Sequence, residues 1–184
     1  LINIFSSAAA DTESEEFYVA QRAFKDKFYS SVLVNLQNFL TKYPQSKYAP
    51  SAHILLGRCY FKQGELHKAL SELETGLNSS EERTVKAEGT YWMGEVNFQG
   101  KDYKTARLYY QKVIDEFTQS EYRPYAYYSR AWSYYQEGDY PNALSGFNEF
   151  SLKFPQDKLN EEARLKAGQC FFKLSNYELA QEQL

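Results

Sequence analysis

The sequence predicts an all-α array of about five helix–turn–helix units, and three observations carry that prediction. The first is a gapless repeat of 37 residues. Tyr29, Leu66, Tyr103, Tyr140 and Tyr177 share one column, with Val32, Ala69, Ala106, Ala143 and Ala180 three residues later and Leu36, Leu73, Tyr110, Phe147 and Leu184 seven later. The second is the spacing inside a unit. Ala52, Leu55, Leu56, Cys59 and Tyr60 form one helical stripe, and Tyr103, Ala106, Tyr110, Val113 and Ile114 form another. The third is the scarcity of helix breakers: 5 Pro and 9 Gly in 184 residues leave little irregular chain.

The units start near Glu13, Pro50, Ala87, Pro124 and Glu161. In each, a first helix ends at a reversal: Gly64–Glu65, Lys101–Asp102, Gly138–Asp139 and, in the last, Ser175–Asn176. A glycine or polar residue there closes the first helix, and the acidic or amide side chain after it can cap the second. A small column, Ala20, Gly57, Gly94, Ala131 and Gly168, lets two helix backbones approach, with large residues filling the space alongside. Between units, Ser46, Ser120 and Asp157 are candidate N-caps, predicting about one extra turn at the start of the first helix.

Residues 1–12 stand outside the array. A short apolar run, Leu1 to Phe5, leads to small residues at Ala8 and Ala10, as at the tail of a secretory signal cut after Ala10; the other reading is a disordered extension. No cysteine follows that point, so lipid attachment there is not expected. The fifth unit reaches Leu184 without a helix stop, which predicts a truncated last unit in a longer protein.

These columns resemble the tetratricopeptide repeat from Glu13 to Leu184. Its small residue at position 8, large residues at 11 and 24, aromatic at 17, alanine at 20 and proline at 32 fall on Gly57, Tyr60, Leu73, Leu66, Ala69 and, in units one and four, Pro44 and Pro155. Val32, Asn97, Glu81 and Thr118 depart from the pattern. The resemblance implies a right-handed α-solenoid with first helices lining a concave groove. The unit exceeds the common one by three residues, and in this it is similar to the Tol-Pal-associated periplasmic repeat proteins and the BamD-like outer-membrane assembly proteins. That implies a periplasmic or outer-membrane-associated protein, with a cytoplasmic one as the alternative.

Other function classes are excluded on composition. A formal charge of -3 does not suit a protein that neutralises nucleic-acid phosphates. No apolar run is long enough to span a bilayer. Cys59 and Cys170 occupy one column three units apart, too far to bridge, so free buried thiols are expected. His53 and His67 are isolated, and no nucleophile elbow, ligand spacing or phosphate loop occurs, so neither an enzyme, a cofactor nor a metal site is expected.

Function then belongs to a surface. By the resemblance, positions 2, 5, 9, 12 and 13 of the first helices face the groove. Position 12 is aromatic throughout (Phe24, Phe61, Phe98, Tyr135, Phe172), which suits stacking within the fold. Position 9 varies (Gln21, Arg58, Glu95, Trp132, Gln169), as a selective surface would. The candidate partner-binding residues are Tyr91, Glu95, Tyr125, Tyr128 and Trp132, with Arg58 and Lys62 as a basic section. The expected function is a non-catalytic protein-interaction scaffold in a bacterial envelope assembly or division complex, holding a peptide or partner helix in the groove. The alternative is a carbohydrate-handling accessory arm of a polysaccharide-export or peptidoglycan system.

Overall fold

The computed structural model describes the backbone of residues 2–181 and the side chains of residues 12–175. Regular structure among the described residues is entirely helical: α1 (Ile2–Lys25), α2 (Tyr29–Lys42), α3 (Ala49–Lys62), α4 (Leu66–Asn78), α5 (Arg83–Gln99), α6 (Tyr103–Glu116), α7 (Tyr122–Glu137), α8 (Tyr140–Lys153) and α9 (Asn160–Gln181). Odd-numbered helices are the first helices of the units and even-numbered ones the second. The side chains of the expected leader remnant before Thr12, and the chain end at Leu184, lie outside the described residues.

The reversals repeat like the sequence does. Lys27, Gly64, Lys101 and Gly138, spaced by one repeat, are the residues with positive φ among the described residues, at 65°, 79°, 65° and 85°. After each, a backbone N–H reaches five residues back: Phe28 to Ala23 O, Glu65 to Tyr60 O, Asp102 to Asn97 O and Asp139 to Tyr134 O, at 2.9–3.0 Å. This pairing satisfies the last carbonyls of the first helix and fixes the hairpin angle. Asp102 then accepts a hydrogen bond from Thr105 N at 3.0 Å and Asp139 from Asn142 N at 3.2 Å, capping α6 and α8. Glu65 has one methylene too many and makes no cap bond to α4. Gly138→Ala forces a Cβ into the left-handed region and should lower the stability of the second half by about 1 kcal/mol in chemical denaturation.

Two expectations are corrected. The predicted break at Ser175–Asn176 is absent, and α9 runs continuously from Asn160 to Gln181. Ser175 Oγ donates to Phe171 O at 3.1 Å, a bond made within the continuous helix. The extra residues between units also do not generally lengthen the first helix. α3 starts only at Ala49, after a separate turn in which Ser46 N donates to Tyr43 O and Ala49 N to Ser46 O. Ser46, Ser120 and Asp157 brace these turns by accepting from the N–H two residues on, at 3.2, 3.1 and 2.8 Å. Only α5 gains the additional turn, starting at Arg83, before the unit start at Ala87.

The chain forms two compact units, Leu1–Trp92 and Met93–Leu184. In the first, Phe17, Ala20, Val32, Leu36, Phe39, Ala52, Leu55, Leu56 and Cys59 make one buried cluster. A Cβ on Gly57 would lie 2.6 Å from Leu73 Cγ and 3.0 Å from Ala69 O, so the small column is where α3 and α4 touch. In the second, a Cβ on Gly94 would lie 2.5 Å from the fully buried Tyr110 ring, and one on Gly146 would lie 2.8 Å from Ala131 Cβ. Tyr110, Phe147 and Phe150 supply its largest buried side chains. Val32 replaces the family alanine with no exposure. Asn97 satisfies its amide by donating to Met93 O at 2.7 Å.

Candidate functional site

Position 12 resolves first, because its aromatic column is structural. Phe24 meets Tyr29, Phe98 meets Tyr103 and Tyr135 meets Tyr140, with ring centroids 5.3–5.5 Å apart. Each pair joins position 12 to position 17 across the reversal of one hairpin, so the rings clasp a unit's own two helices. Unit two has Leu66 at position 17, and there Phe61 turns to Trp92 at 5.4 Å.

The candidate residues of the first compact unit are Arg58, Lys62 and Tyr91. The Arg58 guanidinium lies over the Phe24 ring at 4.5 Å and the Trp92 ring at 4.9 Å, and donates to Glu88 Oε1 at 2.6 Å. Three first helices, α1, α3 and α5, thus converge on one cation. Arg58 Nε and Trp92 Nε1 are buried without hydrogen-bond partners, which the ring contacts partly offset. Lys62 is exposed at the edge of this group, with Nζ 5.4 Å from the Phe61 centroid. Tyr91 is buried, only 9% exposed, edge-on to Trp92 at 5.7 Å. It is a buried residue that presents little of its ring to a ligand.

The candidates of the second unit are Glu95, Tyr125, Tyr128 and Trp132. Glu95 accepts hydrogen bonds from Tyr110 Oη at 2.8 Å and Ser129 Oγ at 2.9 Å, so its carboxylate joins α5, α6 and α7. Tyr128 is half-buried against Phe147 and Phe150, at 5.5 and 5.9 Å, and donates to Glu162 Oε1 at 2.8 Å. Burial and then the neighbouring carboxylate push its phenol well above the ordinary tyrosine range. Trp132 stacks on Tyr135 at 4.9 Å and 10°, with Lys166 Nζ 4.4 Å from the indole centroid. Tyr125 holds Lys158 Nζ at 5.1 Å, and the hydrogen bond to the phenol raises that ammonium's pKa.

The geometry therefore keeps Tyr125 and Trp132 of α7 as a ring strip, each ring with a lysine over it. Sequence reasoning missed Lys158 and Lys166, and also Ser129 and Glu88, the polar partners of Glu95 and Arg58. No group of three or more His, Cys, Asp or Glu that could hold a metal occurs among the described residues. Cys59 and Cys170 are buried and free, and burial pushes the Cys59 thiol up to about 12.

Known proteins place this architecture. The pilF protein of Pseudomonas aeruginosa superposes with a TM-score of 0.74 at 16% identity, over 95% of this chain and 74% of that one. A tetratricopeptide repeat protein from Parabacteroides merdae gives 0.69 at 14%, over 94% and 68%. MamA from Desulfovibrio magneticus gives 0.64 at 16%, over 93% and 97%. At such identities the likeness shows the fold alone, an all-α tetratricopeptide-type repeat. No curated protein sequence matches the chain. A tetratricopeptide repeat pattern matches residues 50–83. The pattern of the YfiO family, described as an outer membrane lipoprotein, matches residues 83–183, more than half of the chain. With a repeat column, hairpin geometry and family pattern that agree, the chain belongs to the YfiO outer membrane lipoprotein family.

Proposed function

We propose that this chain is a non-catalytic protein-interaction scaffold of the bacterial envelope that holds an extended peptide or a partner helix against its first helices. The observation that carries the reading is the strip on α7 in which Trp132 sits beneath Lys166 of α9 and Tyr125 beneath Lys158 of the turn before it. Rings bury large area at little entropic cost, and the lysines favour acidic residues beside apolar ones in the ligand. The family's outer-membrane description supports an envelope location. No helix among the described residues is long and apolar enough to cross a membrane.

Trp132 gives the cleanest test, because its ring is only partly buried. Trp132→Ala and Lys166→Glu should each weaken partner capture from envelope extract, with at least tenfold lower affinity for the purified partner while the helical circular dichroism stays unchanged. Unchanged affinity in both variants would place binding elsewhere. Tyr128→Ala is a poor test, since it also strips contacts from Phe147 and Phe150.

A further inference from the structure

The reversal between α1 and α2 carries an exposed aromatic ring where its equivalents carry an acid. Glu65, Asp102 and Asp139 follow the left-handed residue in the other hairpins, and Asp102 and Asp139 cap the helix that comes next. Here the residue is Phe28, which is 63% exposed and makes no cap bond to α2. The backbone fixes it in place. Lys27 N donates to Phe24 O and Phe28 N to Ala23 O, both at 3.0 Å, and Val32 N donates to Phe28 O. A fixed turn thus displays an apolar ring to solvent at a place where a short polar side chain would stabilise the fold.

Cations flank this ring. Arg22 and Lys25 lie in the last turn of α1, and Lys27 precedes Phe28. Lys62, in the last turn of α3, lies one helical turn beyond Arg58, whose guanidinium covers Phe24 of α1, so Lys62 comes beside the end of α1. Arg22, Lys25, Lys27 and Lys62 are exposed, and none of them forms an ion pair among the described residues. Asp26 is the carboxylate among them, while Glu65 of the next reversal pairs with Lys68 at 3.4 Å. This edge is therefore cationic in a chain whose formal charge is -3. Charges farther away than about 8 Å are largely screened at physiological salt, so an approaching surface feels the edge and not the whole chain.

We propose that this reversal is a peripheral contact with an anionic lipid surface, in which Phe28 enters the boundary between headgroups and acyl chains and Arg22, Lys25, Lys27 and Lys62 meet lipid phosphates. Charge complementarity favours that occupant, since a membrane offers many phosphates to a fan of unpaired cations. A single displayed ring also suits a bilayer better than a protein interface, whose energy comes from a cluster of anchors seated in pockets. The contact lies within the first compact unit and does not involve the strip on α7.

The purified protein should co-sediment with vesicles of phosphatidylglycerol in phosphatidylcholine and not with phosphatidylcholine alone, and added salt should weaken the partition. Phe28→Asn removes the ring without adding charge and supplies a capping side chain. It should lower the partition at least tenfold and yet raise the urea midpoint of the protein. Those opposite signs separate a lost contact from a lost fold. Phe28→Leu keeps an apolar side chain and should retain most of the partition. Lys25→Gln and Lys62→Gln should each lower it about fivefold. No partition onto the anionic vesicles, or equal partition of the original chain and Phe28→Asn, overturns the proposal. So does a photoreactive residue at position 28 that crosslinks in envelope extract to a protein and not to lipid.

Discussion

Tyr110→Ala should destabilise the second compact unit by about 4 kcal/mol, the largest single-residue loss expected in this chain. Tyr110 is fully buried, its ring edge fills the space left by Gly94, and its hydroxyl supplies one of the two hydrogen bonds to Glu95. Truncation to alanine therefore opens a ring-sized cavity where α5 and α6 touch and removes a donor from a half-buried carboxylate. Tyr110→Phe separates the two effects. It keeps the ring and leaves Glu95 with Ser129, so about 1 kcal/mol is expected. Urea denaturation followed by tryptophan fluorescence reads both through Trp132. Similar losses in the two variants would mean that the hydrogen bond, and not the packing, dominates.

Arg58→Ala should cost the first compact unit about 2 kcal/mol, an effect on stability before any on binding. The guanidinium lies over two rings and pairs with Glu88, with side chains only 22% and 27% exposed. Removing it leaves a partly desolvated carboxylate unpaired and two ring faces bare. Arg58→Lys should recover less than half, since an ammonium cannot lie flat over Phe24 and still fork toward Glu88. If lysine restored full stability in denaturant titration, a point charge would be sufficient and the ring contacts irrelevant.

These two residues show what the sequence could and could not disclose. Helices, reversals and the small column were legible, because each follows from a local pattern repeated at a fixed period. The left-handed position was legible as glycine at 64 and 138, but at 27 and 101 lysine fills it, visible only by counting one repeat along. The last reversal failed because Ser175 stays helical, its Oγ bonded to Phe171 O.

The candidate site was half legible. Position 9 was recognised as variable, yet in Arg58 and Glu95 that variation serves polar pairing between helices. Tyr91 was misjudged because its ring is buried edge-on to Trp92. The missed partners other than Glu88 obey a rule within reach of the sequence: neighbouring first helices meet about 34 residues apart, one repeat less nearly one helical turn. Glu95 with Ser129, Tyr128 with Glu162, Tyr135 with Gln169 and Ser14 with Tyr48 all have that separation.

Cys59 and Cys170, one in each compact unit, have so far figured only as small apolar fillers. Both thiols are buried, and burial holds each thiolate out of reach, Cys59 most of all. Neither can react from the native state, so reagent uptake at each becomes a clock for the opening of its own half. The chain thus carries two built-in reporters of local unfolding, and timing them separately by mass spectrometry would reveal whether the array melts as one body or as two.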